Sequence, residues 1–258
     1  MTLPRPEVLR ELELLPMWRS RGKVGAPVAA STVNATPEPA VATASVTTPI
    51  AHTNLSPSAV PASTVMQMDW QALQTAVTTC RACALAESRI QTVFGIGDPQ
   101  AEWLFVGEAP GAEEDKRGEP FVGQAGKLLD NMLAAIGLTR QENVYIANVL
   151  KCRPPQNRDP HGEEVVKCAP YLKRQVELIQ PRLIVAMGRF ASQSLLRTDD
   201  SIGALRGMLH DYNGVPVIVT YHPAYLLRNL PDKARAWEDL CFARSTMQGL
   251  QSSAETAS

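Results

Sequence analysis

The 258-residue sequence has no excess of either charge sign: 25 Lys and Arg face 26 Asp and Glu, a formal net charge of −1. That argues against a protein that grips nucleic acid through bulk charge. A local basic face stays open, because only groups within about a Debye length (~8–10 Å) of a phosphate matter much. Long apolar runs are absent too. None reaches the ~18 residues that a membrane-spanning helix needs, so no membrane partner is expected. Met1 to Arg10 carry no apolar signal core and no cleavage site, and a cytoplasmic location is expected. Cysteine is scarce, at five residues. In a reducing compartment a disulfide framework is not expected, which leaves metal ligation as a use for the thiols. What remains, 45% hydrophobic and 20% charged residues, is ordinary for a globular chain.

Charge is almost missing from residues 24–68, where Glu38 is the only charged side chain and prolines recur at 27, 37, 39, 49, 57 and 61. With Ala, Thr, Val and Ser filling the rest and no amphipathic period, this stretch reads as a disordered, extended linker. It sets apart residues 1–23, in which Val8, Leu9, Leu12, Leu15 and Trp18 fall near helical spacing ahead of Arg19 and Arg21. So short a helix on a tether cannot bury its own apolar face. It either docks in a partner's groove or folds back on the main domain. The globular domain is expected over residues 69–250, with a disordered tail at 251–258.

Four of the cysteines form a pattern: Cys80-x-x-Cys83, a long gap, then Cys152 and Cys168. A tight pair fixes two corners of a metal site, and two distant ligands tie the far chain to it. Spacing alone leaves zinc and an iron–sulfur cluster both open. The third ligand lies in Lys151-Cys152-Arg153-Pro154-Pro155-Gln156-Asn157-Arg158, a basic loop suited to a phosphate backbone. Cys241 reads as a buried helix cysteine.

Apolar runs at Trp103–Val106, Val144–Ala147, Leu183–Ala186 and Val215–Thr220 read as buried strands, and residues 123–137, 162–179, 189–197 and 231–248 as helices. The alternation predicts a three-layer α/β/α sandwich with a central, mainly parallel sheet. Ligands gather at the carboxyl ends of such strands, and polar loops lie there. Gly107-Glu108-Ala109-Pro110-Gly111 is a tight turn that can bring backbone N–H groups to a ligand or simply connect a strand to a helix. The acids after it, Glu113, Glu114 and Asp115, read mostly as a solvated face. Phe121, in Glu119-Pro120-Phe121-Val122-Gly123-Gln124-Ala125-Gly126, is either a hydrophobic staple or a ring that stacks on a base. Asn148 ends a strand, where its amide offers donor and acceptor together. His222-Pro223-Ala224-Tyr225-Leu226-Leu227-Arg228 sets a histidine, an exposed apolar pair and an arginine in one turn. The histidine suits a developing anion, Leu226 a wedge in a base stack, and Arg228 a phosphate.

These stretches together, in this order and with the four-cysteine spacing, resemble the family-4, iron–sulfur uracil-DNA glycosylases of bacterial type, here with an N-terminal extension. The resemblance covers about residues 78–245. It implies excision of uracil from DNA by a monofunctional glycosylase acting as a monomer, and a [4Fe-4S] cluster on Cys80, Cys83, Cys152 and Cys168. It also implies a uracil pocket lined by Gly107, Glu108 and Ala109, with Phe121 stacked on the base, Asn148 on its edge, His222 donating to its carbonyl oxygen, and Leu226 filling the vacated stack. Arg153, Arg158 and Arg228 are the expected DNA contacts. In the wider superfamily the fastest enzymes carry an Asp where Ala109 stands, so Glu108 is the first candidate to activate water, with Asp115 behind it. The segment from Leu9 to Arg21 is similar to the N-terminal peptide of the bacterial DNA polymerase III psi subunit, which implies a clamp-loader contact through residues 8–21. A non-catalytic iron–sulfur DNA-binding protein or replication adaptor is the rival reading.

Overall fold

The computed structural model describes residues 60–255. The expectations for residues 1–59, the docking peptide and most of the linker, lie outside the described residues. In chain order the helices are α1 (Ala62–Val65), α2 (Trp70–Thr79), α3 (Leu85–Ser88), α4 (Ala112–Arg117), α5 (Gln124–Ala135), α6 (Gly162–Ile179), α7 (Arg189–Leu196), α8 (Ile202–Leu205), α9 (Pro223–Leu226) and α10 (Asp232–Glu255). The strands are β1 (Ile96–Gly97), β2 (Trp103–Gly107), β3 (Val144–Asn148), β4 (Leu183–Met187), β5 (Leu209–Tyr212) and β6 (Val215–Thr220).

The strands form one sheet in the order β1-β3-β2-β4-β6-β5. The four inner strands run parallel, and β1 and β5 close the edges antiparallel. β2, β3 and β4 are buried along their whole length, which explains their unbroken apolar runs. Alternation then feeds two cores. Trp103 and Phe105 pack on one face with Leu129 and Met132 of α5 and Leu240 of α10. Leu104 and Val106 pack on the other with Leu172 and Val176 of α6 and Leu195 of α7. Helices on both faces of a mainly parallel sheet make the expected three-layer sandwich.

The expected boundaries shift at both ends. α1 forms inside the stretch read as linker, and its Val65 is buried with Leu73, Val77 and Tyr171. α10 continues to Glu255, into the stretch read as tail. α2 lies outside the expected helices, although Asp69 caps it by accepting from the Ala72 N–H at 2.8 Å.

Parallel pairing sets the register of the rim. Gly107 lies opposite Asn148, and Met187 opposite Thr220. The chain leaving β6 delivers Tyr221 and His222 to the same edge of the sheet.

Candidate active site

Asn148 is 2% exposed, and its Oδ1 has no hydrogen-bond partner among the described residues. A buried acceptor without a donor costs about 1–3 kcal/mol, and among the described residues Gln175 Oε1, which does not line the cleft, is the other side-chain oxygen in that state. Gly107 explains the room around Asn148. A Cβ there would overlap Asn148 Oδ1 and stand 2.6 Å from Cζ of Phe121. Only glycine lets the amide and the ring approach each other over the end of β2.

Phe121 has φ +55°, a left-handed conformation costing a non-glycine residue roughly 1–2 kcal/mol. Its neighbours hold it there. Glu114 Oε1 accepts from the N–H groups of Val122 (2.9 Å) and Gly123 (3.2 Å), while its Oε2 accepts from Gly111 N–H at 3.1 Å. One carboxylate therefore fastens the Gly107–Gly111 loop to the loop that carries the ring. The Phe121 ring lies 5.4 Å from the His222 ring, the two planes 30° apart.

His222 Nδ1 accepts from the Ala224 N–H at 3.1 Å. Burial, helped by the charge of Arg228, pushes its pKa down to about 4. At neutral pH the imidazole is therefore uncharged, and with Nδ1 occupied as acceptor its proton sits on Nε2. Gly188, at φ +91°, passes directly behind it, where a Cβ would be 2.8 Å from the His222 Cβ. Glu108 is displaced the other way: burial, then the nearby Asp159 charge, raises it to about 7. A cleft of about 740 Å³ joins these groups, lined by Glu108, Ala109, Phe121, Asn148, His222 and Arg228 among others.

Some sequence expectations fail here. Leu226 is 1% exposed and packs in the core with α5 and α10, so it is not an exposed wedge. Leu227 is the exposed member of the pair, at 41%. Glu114 and Asp115 are not a solvated face. Asp115 is 1% exposed and accepts from the Ile90 (2.9 Å) and Gln91 (3.3 Å) N–H groups, which removes it as a water activator. Arg158 is paired with Glu164 through two hydrogen bonds, at 3.0 and 2.5 Å, and Arg153 donates to Asn157 Oδ1 at 2.8 Å. Both shape their loop as it stands. Arg228 is exposed, lines the cleft and has no ion pair among the described residues. Sequence reading missed Arg189 in the cleft wall, and it gave no role to Tyr221 and Tyr225, which also line it. The strand-end rule reaches Arg189 and Tyr221, which lie two residues past β4 and one past β6.

The four cysteines of the pattern line one small cavity beside the sheet. Among the described residues, no three His, Cys, Asp or Glu side chains close on a point as ligands of a single ion. Donors already face the sulfurs: Arg89 Nη1 to Cys152 Sγ at 3.0 Å, and Lys151 N–H to Cys168 Sγ at 3.3 Å. Burial pushes the Cys152 thiol up to about 11 and Cys168 up to about 12, so a metal is what would draw them to thiolate. Lys151 is 1% exposed, and its Nζ donates to the Asn148 carbonyl at 2.8 Å, bridging the thiol cavity to the end of β3. Cys241 sits apart on α10, half-buried rather than fully enclosed.

Residues 94–241 match the family model described as the uracil DNA glycosylase superfamily. The chain is 52% identical over 159 residues to the type-4 uracil-DNA glycosylase of Archaeoglobus fulgidus, a match covering 58% of this chain and 79% of that protein. It is 46% identical over 173 residues to the type-4 enzyme of Thermotoga maritima, covering 66% and 90%. With that of Saccharolobus solfataricus it shares 45% over 172 residues, covering 63% and 79%. The chain belongs to the uracil-DNA glycosylase superfamily and, within it, to the type-4 uracil-DNA glycosylases.

Proposed function

We propose that this protein hydrolyses the N-glycosidic bond of uracil in DNA, releasing free uracil and leaving an abasic site, as a repair step after cytosine deamination. The observation that carries the reading is the buried, unpartnered Asn148 Oδ1 beside an aromatic ring and a neutral histidine. Uracil presents an N3–H donor flanked by two carbonyl acceptors. Asn148 Oδ1 accepts from N3–H, and its amide nitrogen donates to one carbonyl. Phe121 stacks on the ring, and Gly107 and Ala109 keep the floor free of bulky side chains. The Nε2–H of His222 donates to the other carbonyl, where negative charge gathers as the C1′–N1 bond breaks. A neutral donor held in place before reaction stabilises that anion without reorganising, and most of the rate acceleration comes from this. Glu108, with its pKa near 7, accepts a proton from the water that captures C1′. No lysine lines the cleft among the described residues, so no Schiff base forms there and the strand stays intact.

The flipped uracil leaves a gap in the stack. Extruding it costs a few kcal/mol, least for mismatched or single-stranded sites. Leu227 is the side chain exposed to fill the gap, and Arg228 the free guanidinium for a phosphate. Cys80, Cys83, Cys152 and Cys168 would hold a [4Fe-4S] cluster. An all-thiol set with N–H donors aimed at two of its sulfurs suits it. When bound, such a cluster supplies a fixed anionic node that braces the Arg153–Arg158 loop against the DNA backbone. A monomer is proposed as the unit of action. Residues 8–21 are proposed to dock on the replicative clamp loader, raising local concentration rather than DNA affinity. Removing residues 1–59 is then expected to abolish co-elution with the clamp loader and leave the rate of uracil release unchanged.

The test uses labelled DNA with one uracil, single-stranded and as a U·G duplex. Breakage at uracil only after alkali is the expected result. Breakage without alkali would mean a lyase step that this chemistry lacks. An intact strand would favour a non-catalytic DNA-binding protein.

A further inference from the structure

Phe121 can stack on a base only while it keeps its left-handed backbone, and the groups holding that backbone come from two places. Glu114 secures the N–H groups that follow it. The carbonyls are held by Arg140, distant in sequence and beyond the end of α5. Its Nη1 donates to Pro120 O at 3.1 Å and its Nη2 to Phe121 O at 2.9 Å. Asp130 aims the guanidinium, accepting from Nε at 2.8 Å. The Arg140 side chain is 15% exposed and that of Asp130 51% exposed, so the pair closes the back of the loop while the ring faces the cleft. Gly126, in the first turn of α5, leaves the space that the Phe121 carbonyl occupies, since a Cβ there would overlap it. If Phe121 relaxed to a right-handed φ, its carbonyl would swing off both Arg140 and Gly126, and the ring would leave its place beside Asn148.

We infer that Arg140 is a positioning residue for base recognition: it holds the strained Phe121 peptide so that the ring is ready to stack on the pyrimidine. The inference rests on the reading that Phe121 stacks on uracil. It separates two properties that a merely structural residue would lose together, because DNA with an abasic-site analogue offers no base for the ring.

The experiment measures two quantities for the full-length protein and Arg140→Met: inhibition of uracil release by free uracil, and affinity for duplex DNA carrying a tetrahydrofuran abasic analogue. Arg140→Met is expected to weaken inhibition by uracil about tenfold, the scale of one strained backbone conformation. Affinity for the abasic analogue is expected to stay within about twofold of the parent. Equal losses in both, or no loss in inhibition by uracil, overturn the inference. Should Arg140→Met fail to fold, Arg140→Lys, which keeps the charge but not the two-pronged grip on adjacent carbonyls, is measured and judged in the same way. Phe121→Ala is the control for the underlying reading. If it leaves inhibition by uracil intact, stacking itself is wrong, and that failure is distinct from a failure of Arg140.

Discussion

The cleft and the cysteine cavity lie about one turn of chain apart, at Asn148 and Cys152, yet they treat their polar groups in opposite ways. In the cleft, Asn148 Oδ1 has no hydrogen-bond partner among the described residues, and His222, though its Nδ1 accepts from the Ala224 N–H, is pushed to neutrality by burial. At the cysteines the donors are already in place, with Arg89 on Cys152 and the Lys151 N–H on Cys168. On the proposed function, the difference is that between a site for a transient visitor and a site for a resident group. A visitor must bring the missing hydrogen bonds itself, and specificity comes from what stays unpaired without it. A resident group is held by donors that need never be released. Lys151 touches both, buried among the cysteines while its ammonium holds the carbonyl of Asn148.

Breaking the visitor's side is expected to have the largest effect. Asn148→Ala and His222→Ala should each slow uracil release by about 10²–10³, with the melting temperature little changed. A loss of rate that merely tracks a loss of fold would assign both residues to structure. Next is Glu108. Only its carboxylate can accept a proton, so the single-turnover rate should rise as pH increases through about 7. His222, near 4, is already neutral throughout that window and adds no second limb above about pH 5. Glu108→Gln should cost about 10² at pH 8 and flatten the rise. A rise that survives the substitution points to another base.

On the resident side, Arg89→Gln should weaken retention of iron about 10–100-fold, read by iron loss to a chelator, as expected for a donor behind a metal ligand. Unchanged retention would mean that the Arg89 contact is incidental. The smallest effects sharpen the contrast between two adjacent leucines. Leu226→Ala should cost about 2–5 kcal/mol of stability. Leu227→Ala should cost under about 0.5 kcal/mol, yet slow release from duplex more than from single strands. The reverse pattern would restore Leu226 as the wedge.

Much of this was legible from the chain because strand ends are legible. The runs before Gly107 and Asn148 and the run ending at Thr220 are apolar on both faces, so their polar successors had to sit at one edge of the sheet. Which of Leu226 and Leu227 turns inward was not legible, since a four-residue helix gives no period to read. Glu114 and Arg140 were hidden for another reason: the contacts by which they hold the Phe121 loop are to its backbone groups, and no side-chain pattern encodes those. The edge strand β1 is two residues long, too short to show an alternation, and in β5 the alternating burial of Leu209-His210-Asp211-Tyr212 has no matching apolar–polar alternation in the sequence.

The central claim is that an unpaired acceptor in the cleft selects a base with an N–H at the matching edge. Cytosine, with a bare N3 at that edge, meets Asn148 Oδ1 lone pair to lone pair. The direct measurement is release of free base from two otherwise identical DNA duplexes, one with uracil and one with cytosine at the same position opposite guanine. Release of uracil alone is the predicted result. Release of both bases, or of neither, would contradict it.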